Sequence, residues 1–283
     1  MEGRARSARR SVELAPFATP GGPASGCQAR AVQARYQPQV LEQLVDVTQN
    51  TELVEAEWDR VAWGNYESNL EFLRRAGLTT AATRVLEIGC GKGAILGYLQ
   101  KAGHVVAGVD VDASALAYCV APHAQLPVSV ASGDSLPFAD RSFDAVLSFD
   151  VFEHIRDSDR HLKEVRRVLR PGGSYFLQTP NKWTNIPFEL LRQWKKFHTG
   201  PITSYRTLTQ DHCALHSYWQ MKRRFSRNGF ELSFFDIPVV NEYFKSKMRD
   251  YFGPAGRWML AVANPDRFPM YLRTNFYAKA LMR

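Results

Sequence analysis

The sequence has few cysteines and no long run of apolar residues. Its four cysteines, among 283 residues, form no Cys-x-x-Cys pair, which argues against a zinc site or a disulfide framework and favours a reducing compartment. No uncharged apolar run approaches the roughly 20 residues that cross a bilayer. The first 35 residues also lack the apolar core of a secretory signal. We therefore expect a cytoplasmic protein with no transmembrane segment, for which peripheral contact with a membrane stays open.

Acidic residues are scarce at both ends of the chain. Residues 1–40 hold 6 basic and 2 acidic side chains, residues 41–180 hold 13 basic and 19 acidic ones, and residues 181–283 hold 17 basic and 7 acidic ones. The net charge of the whole chain is +8. The last segment also holds 20 of the 34 aromatic residues. An acidic middle is thus followed by a basic, aromatic third. That third could bind an aromatic or anionic small molecule, a membrane-borne substrate or a nucleic acid, or its charges could form a solvated helix face while its aromatic residues fill the core.

From residue 84 onward, apolar strands alternate with helices. Strands are predicted at 85–88, 105–109, 128–130, 145–149, 175–177, 231–237 and 276–281, and helices at 94–102, 113–120 and 159–169. Two earlier stretches, 40–47 and 51–76, have helical spacing. The alternation predicts an α/β fold with a doubly wound, mostly parallel sheet of seven strands. We predict a disordered basic tail over 1–39 and a single domain over 40–283.

A glycine-rich turn follows the first predicted strand, in Val-Leu-Glu-Ile-Gly-Cys-Gly-Lys-Gly at residues 85–93. Such a turn lets the backbone approach a ligand closely at the start of a helix. A nucleotide-like ligand is therefore expected at the carboxyl end of the strand. The turn also satisfies G-x-G-x-x-A, and Asp110 lies 21 residues after Gly89. An oxidoreductase that uses NAD consequently stays open.

Further sequence blocks follow in order. Asp110 ends the second strand, Gly-Asp-Ser-Leu-Pro-Phe occupies 133–138, Asp-Val-Phe-Glu-His occupies 150–154, and Leu-Arg-Pro-Gly-Gly occupies 169–173. Over roughly residues 80–180, this set resembles the class I S-adenosylmethionine-dependent methyltransferases, especially the branch with small-molecule substrates. The resemblance implies a Rossmann-like fold, S-adenosyl-L-methionine as cofactor, a cofactor half over 80–180, and a substrate cover with helical insertions over 181–283.

The resemblance also implies site residues. Glu87 and the turn glycines Gly89, Gly91 and Gly93 would surround the methionine part of the cofactor, with Asp150 nearby. Asp110 would accept hydrogen bonds from the ribose hydroxyls, and Asp134 with Ser135 would lie near the adenine. An acidic pocket suits a cationic sulfonium better than a pyrophosphate.

Three polar residues after the fourth strand allow several roles. Asp150, Glu153 and His154 are predicted to face one way on a helical turn, because they are spaced i, i+3 and i+4. His154 could act as a general base, or pack structurally beside the cofactor, or join the two acids around a divalent metal. Our catalytic prediction is His154, and we predict no metal.

The expected function is methyl transfer from S-adenosylmethionine to a small organic acceptor, with oxygen as a candidate accepting atom. Alternatives are an oxidoreductase that uses NAD, an RNA methyltransferase, and a binding module of the same fold without catalysis. Nucleic acid is the less favoured partner, because no Asn-Pro-Pro-aromatic block follows the fourth strand. Residues 181–217 and 239–273 are the candidate substrate cover. The acceptor and the oligomeric state stay open.

Overall fold

The computed structural model describes residues 65–78, 82–119, 125–186, 213–240, 252–262 and 264–283, together with residues 245, 248 and 249. The predicted tail, and the helical stretches before residue 65, lie outside these residues, as does most of the predicted cover over 181–217. Within the described ranges, no helix combines the length and the apolar character needed to span a bilayer.

The described residues form one seven-stranded sheet. Its strands are β1 (Arg84–Ile88), β2 (Val105–Asp110), β3 (Val128–Val130), β4 (Phe143–Phe149), β5 (Leu169–Pro180), β6 (Phe230–Phe235) and β7 (Asn275–Met282). The order is β3-β2-β1-β4-β5-β7-β6. All neighbours are parallel except β7, which is antiparallel to both β5 and β6. The predicted doubly wound, mostly parallel sheet is confirmed.

The helices pack on both faces of this sheet. They are α1 (Tyr66–Arg75), α2 (Ala94–Lys101), α3 (Ala113–Cys119), α4 (Ser158–Val168), α5 (Tyr218–Arg227) and α6 (Pro254–Val262). Side chains of β1 alternate between the faces, as in any strand. Val85 joins a core cluster with α1, α2 and α3, whereas Leu86 and Ile88 join a second cluster with α4 and α5.

The start and the end of α4 differ in how well the sequence predicts them. The helix starts one residue before the predicted one, and Asp157 caps this start by accepting a hydrogen bond from the Arg160 backbone N–H (2.9 Å). The predicted end at residue 169 is one residue too late. Leu169 is already extended and pairs with Phe143 as the first residue of β5, and the pairing resumes at Ser174 after a register shift.

The direction of β7 positions the chain that precedes it. Asn275, at the start of β7, pairs with Pro180, at the end of β5. The Asn181 side-chain amide also donates to the carbonyls of Tyr271 (3.0 Å) and Arg273 (2.8 Å). Two short 3-10 helices, Pro265–Arg267 and Met270–Leu272, therefore lead into β7 at the edge of the sheet where the parallel strands end. This edge is called the carboxyl edge below.

Candidate functional site

Several predicted site segments meet at the carboxyl edge. β1 runs into the glycine turn at 89–93, and its neighbour β2 ends at Asp110. The Gly91 backbone N–H donates to the Asp110 carboxylate (2.8 Å). On the other side of β1, the Val151 side chain occupies the space that a Cβ atom at Gly89 would need. The ends of β1, β2 and β4 are therefore brought together, as the sequence predicts.

The turn requires glycine for two different reasons. All three glycines have left-handed backbone angles, with φ of +72° at Gly89, +49° at Gly91 and +82° at Gly93. A Cβ atom at Gly93 would lie 2.6 Å from a methyl carbon of Leu126 and 2.8 Å from the sulfur of Cys119. Gly89 and Gly93 thus allow close packing within the protein, in addition to the turn itself.

Gly91 differs from the other two glycines, because its side-chain position is open. No described atom lies within 4 Å of a Cβ atom built there. The turn is fixed by Asp110, which accepts the Gly91 N–H through one oxygen and the Asp112 N–H (2.9 Å) through the other. A carboxylate has about four lone-pair positions, so Asp110 can still accept hydrogen bonds from hydroxyl groups. Gly91 and Asp110 therefore form a rigid shelf beside an open space.

Glu87 lies on β1, immediately below this turn, and is only 4% exposed. Burial, followed by the proximity of Cys119 and Asp110, raises the pKa of its carboxyl well above the ordinary value. Among the described residues, its Oε2 atom has no hydrogen-bond partner. A buried carboxyl oxygen without a partner is costly, and a cationic or hydrogen-bonding ligand next to it would remove part of that cost.

Asp134 and Ser135 lie on the next loop along the edge. The residue after β3 donates its N–H to the Asp110 carbonyl (3.0 Å), which joins this loop to β2. The Asp134 carboxylate accepts from the Ser132 hydroxyl (2.6 Å), and its carbonyl accepts from the Arg160 guanidinium (2.9 Å). Ser135 is exposed. The loop is therefore held mainly by its backbone, with the Asp134 side chain half-buried at the edge.

A buried polar relay beneath this loop is a feature that the sequence analysis missed. His161 Nδ1 lies 2.7 Å from the Gly133 carbonyl, its Nε2 lies 2.9 Å from the Tyr175 hydroxyl, and that hydroxyl lies 2.6 Å from the Ser148 hydroxyl. Burial lowers the pKa of His161 to about 4, so the ring is neutral at pH 7. A carbonyl can only accept, so Nδ1 carries the proton, Tyr175 donates to Nε2, and Ser148 donates to Tyr175.

The relay fixes the Gly133–Asp134 backbone from inside the core. The signal for it was present in the sequence, because His161 shares the inward face of α4 with Leu162, Val165 and Val168. A histidine on an apolar face needs buried partners, but their identity depends on β4 and β5.

The predicted common face of Asp150, Glu153 and His154 is wrong. Asp150 has a left-handed φ of +53°, so a helix cannot pass through it, and only Phe152–His154 form a single 3-10 turn. Glu153 turns inward and is 1% exposed, whereas the His154 side chain is 43% exposed. Their nearest charged atoms, Oε1 and Nε2, are 3.9 Å apart. The three side chains therefore point to different surroundings.

Asp150 is held by two amide side chains. Its carboxylate accepts from Gln178 Nε2 (3.0 Å) and from Asn65 Nδ2 (3.0 Å), and its backbone N–H donates to Gln178 Oε1 (2.9 Å). Gln178 is completely buried on β5, so its two hydrogen bonds hold Asp150 in its strained backbone conformation. The carboxylate stays exposed at the carboxyl edge, next to the glycine turn through Val151.

Glu153 is a second carboxyl group with altered acidity. Burial, followed by the proximity of Asp150, raises its pKa to about 8. The Thr179 hydroxyl donates to its Oε2 atom (2.9 Å), and its backbone carbonyl accepts from the Ala214 N–H (2.8 Å). Glu153 thus joins the end of β4 to β5 and to the segment before α5.

The arrangement fits an organic cofactor better than a metal ion. Within the described part of the chain, no group of three or more His, Cys, Asp or Glu side chains is placed to hold a metal. By contrast, Gly91 with its open side, the Glu87 oxygen without a partner and Asp110 all belong to the ends of the neighbouring strands β1 and β2. Such a cradle suits a ligand that carries a positive charge near Glu87 and hydroxyl groups near Asp110.

Comparisons with known proteins agree with this geometry. Residues 86–177 match the family model of a methyltransferase domain. A protein of Mycolicibacterium smegmatis named a probable S-adenosylmethionine-dependent methyltransferase is 33% identical over 135 residues, which are 46% of this chain and 52% of that protein. A fatty-acid O-methyltransferase of the same organism is 40% identical over 100 residues, which are 34% of this chain and 36% of that protein.

The fold is shared with solved structures. An S-adenosylmethionine-dependent methyltransferase of Mesorhizobium loti is 18% identical and superposes with a TM-score of 0.52, over 77% of this chain and 97% of that chain. The chain spans about half the length, or less, of the curated relatives described above. Residues 86–177, which contain the glycine turn, Asp110, Asp134 and Asp150, thus match a methyltransferase domain, and the relatives and the shared fold support a class I S-adenosylmethionine-dependent methyltransferase.

Proposed function

We propose that this chain transfers the methyl group of S-adenosylmethionine to a small organic acceptor, with oxygen as the accepting atom. The observation that carries the proposal is the cradle at the carboxyl edge, where Gly91 has an open side and binds Asp110, and Asp110 lies near buried Glu87, inside a match to a methyltransferase domain. A protein that only binds a nucleotide phosphate would have little use for a buried carboxyl group at this position.

Each residue of the cradle has a task in this proposal. When bound, S-adenosylmethionine supplies an electrophilic methyl group on a cationic sulfur, and the sulfur leaves as a neutral thioether. Glu87 would favour the cationic end, and Asp110 would accept hydrogen bonds from ribose hydroxyls. Asp134, with Ser135, would contact the adenine, and Asp150 would border the methionine part. Rigid placement is the main requirement, because methyl transfer depends chiefly on alignment.

His154 is the proposed general base. Its side chain is 43% exposed at the carboxyl edge, two positions after Phe152, which is completely buried and anchors the 3-10 turn. An exposed imidazole on an anchored turn can reach a substrate hydroxyl, whereas one used only for packing would be buried. Removal of the hydroxyl proton would make the oxygen a better nucleophile.

Oxygen is favoured as acceptor atom by a relative. The fatty-acid O-methyltransferase, by its name, methylates an oxygen, and its similarity to this chain spans 100 residues. A general base is also more useful for a hydroxyl or a carboxylic acid than for a neutral amine, which already has a free electron pair.

A screen with a labelled methyl donor tests the proposal. The full chain is incubated with labelled S-adenosylmethionine and separate pools of phenols, carboxylic acids, amines, lipids and RNA. We expect label in the phenol, carboxylic acid or lipid pool, and none with the Asp110→Ala variant. Label only in RNA would assign an RNA methyltransferase, and label in no pool would favour a binding module without catalysis.

Calorimetry separates this proposal from the oxidoreductase alternative. S-adenosylhomocysteine should bind the full chain, and NAD should not. Tight NAD binding, without binding of S-adenosylhomocysteine, would contradict the proposed function.

A further inference from the structure

Large apolar side chains are exposed together in the chain that leads into β7. Six of them are at least 37% exposed, and we call them the apolar rim: Trp258, Met259, Val262, Phe268, Tyr271 and Leu272. Trp258 and Val262 reach 68% and 67% exposure. Exposed apolar residues are common singly, but a set this dense within fifteen residues marks a surface that meets an apolar partner.

Helix α6 contributes the most exposed part of the rim. It contains no acidic residue, and it packs closely at Gly256, where a Cβ atom would overlap the Met248 carbonyl. This contact fixes one side of α6 against the chain at 248–249. Trp258, Met259 and Val262 stay exposed in spite of it.

The part of the apolar rim just before β7 lies at the carboxyl edge, the edge that also carries the candidate cofactor site. Tyr271 and Leu272 belong to the 3-10 helix just before β7, and the Asn181 amide ties the Tyr271 carbonyl to the end of β5 (3.0 Å). Two further exposed aromatic residues are attached to the same edge. Trp183 is 62% exposed, and its backbone N–H donates to Asn181 Oδ1 (3.1 Å). Trp219, which is 68% exposed, lies in the first turn of α5.

A basic groove is lined by Gln220 of α5, the residue that follows Trp219. It has a volume of about 400 Å³, and its charged lining residues are Arg156, Arg223, Arg224, Arg227 and Asp159. The carboxylate of Asp159 is paired with Arg224 (2.7 Å), so the groove keeps a strong positive excess.

The groove is also joined to the apolar rim through the backbone. His216 lines the groove, and its carbonyl accepts the Lys182 N–H (3.0 Å), one residue after Asn181. Burial lowers the pKa of His216 to about 4, so its ring adds no charge at pH 7. The arginines therefore set the charge of a surface that continues, through Trp183, towards the rim.

We propose that the carboxyl edge docks on a lipid bilayer that contains anionic lipids. The apolar rim enters the interface, where tryptophan and tyrosine are favoured, and the arginines of the groove contact headgroup phosphates. Guanidinium groups bind phosphate oxygens in pairs, and anionic headgroups complement the positive excess of the groove. A protein partner would need an acidic and an apolar surface in the same arrangement, whereas an anionic bilayer offers both over any area.

Docking on a bilayer does not depend on the proposed function. The role that docking would have in catalysis does rest on the proposed function. An acceptor dissolved in the bilayer would be presented at the same edge as the cofactor cradle, without leaving the membrane. The proposal can therefore fail while methyl transfer to a small acceptor stands, and the reverse is also true.

Sedimentation of the full chain with vesicles tests the docking surface without an activity assay. Vesicles are made of phosphatidylcholine alone or mixed with phosphatidylglycerol. We expect binding to the mixed vesicles, at least about tenfold weaker in the Trp258→Ser and Val262→Ser variants, since one inserted side chain of this size accounts for such a factor. Leu281→Ser is the matched control, because Leu281 is 43% exposed but pairs with Ser174, near the opposite edge of the sheet.

The charge is tested separately with Arg223→Gln and Arg227→Gln, which should weaken binding to mixed vesicles and make it less sensitive to salt. Circular dichroism melting checks that each variant is folded. Equal binding to both kinds of vesicle, or no loss in the Trp258 and Val262 variants, would overturn the proposal. Binding of RNA in place of vesicles would also overturn the proposal. The same holds if light scattering shows that the protein is a dimer and that Trp258→Ser makes it a monomer.

Discussion

The open side of Gly91 leads to a prediction that separates ligand contact from backbone strain. In Gly91→Ala, the added methyl group enters a space with no described atom within 4 Å, so it disturbs no packing. The strain comes only from the left-handed φ of +49° and should cost about 1 kcal/mol of the free energy of unfolding. If the cofactor lies against Gly91, the same methyl group blocks it.

Gly103→Ala supplies the matched control. Gly103 also has a left-handed φ, of +91°, and also has no described atom within 4 Å of its Cβ position. It follows α2 and precedes β2, so it lies at the opposite edge of the sheet from the candidate site. Its alanine variant should lose a similar stability, of about 1 kcal/mol, with no change in ligand affinity.

The assay combines urea unfolding with calorimetry of S-adenosylhomocysteine binding. We expect both variants to unfold at slightly lower urea concentration, and only Gly91→Ala to bind at least about tenfold more weakly, a difference of about 1.4 kcal/mol. If both variants bind the ligand as the unchanged protein does, the ligand does not approach Gly91, and the assignment of the cradle is wrong.

Three further predictions concern the acidic and basic side chains of the edge. Glu153 has a pKa of about 8 in the folded protein against an ordinary 4.5, so the native state keeps a proton that the unfolded chain releases, and stability falls as pH rises between these values. Glu153→Gln, which can still accept from Thr179, should flatten that decline and gain up to about 3 kcal/mol near neutral pH in urea unfolding; an unchanged slope would contradict the burial argument. His154→Ala should lower kcat roughly 100-fold, and an unchanged kcat would exclude the general base. Asp110→Asn should weaken S-adenosylhomocysteine binding at least about tenfold in calorimetry, and the neighbouring Asp112→Asn should not, since Asp112 caps α3; equal losses would assign both residues to the turn alone.

The sequence predicts the framework well, because local patterns determine it. Apolar runs bounded by polar residues place β1, β2 and β3 within one residue of their observed ends. The glycine turn and Asp110 are also predictable, since each follows directly from a strand end. β5 is the exception. It extends over Leu169–Pro180, far beyond the predicted core at 175–177, because Leu169 pairs with Phe143 of β4 and residues 174–180 pair with β7.

The finer features of the site depend on contacts that no local pattern contains. The Val151 side chain, which follows β4, fills the space beside Gly89. The face shared by Asp150 and His154 is lost because Gln178 holds Asp150 in a left-handed conformation. The sequence gives the spacing of these residues, and a spacing rule holds only where the helix is continuous.

The uneven charge along the chain has a physical meaning once the topology is known. Carboxyl groups of the acidic middle, among them Glu87 and Asp110, collect where the parallel strands end, and the arginines of the basic third line a groove joined to the same edge. Because screening in salt limits such fields to about 10 Å, each acts on what it directly faces. On the proposed function, the acidic cradle attracts a cationic methyl donor, while the basic groove meets an anionic surface. The net charge of +8 then belongs chiefly to the side that meets the acceptor, and says little about the cofactor.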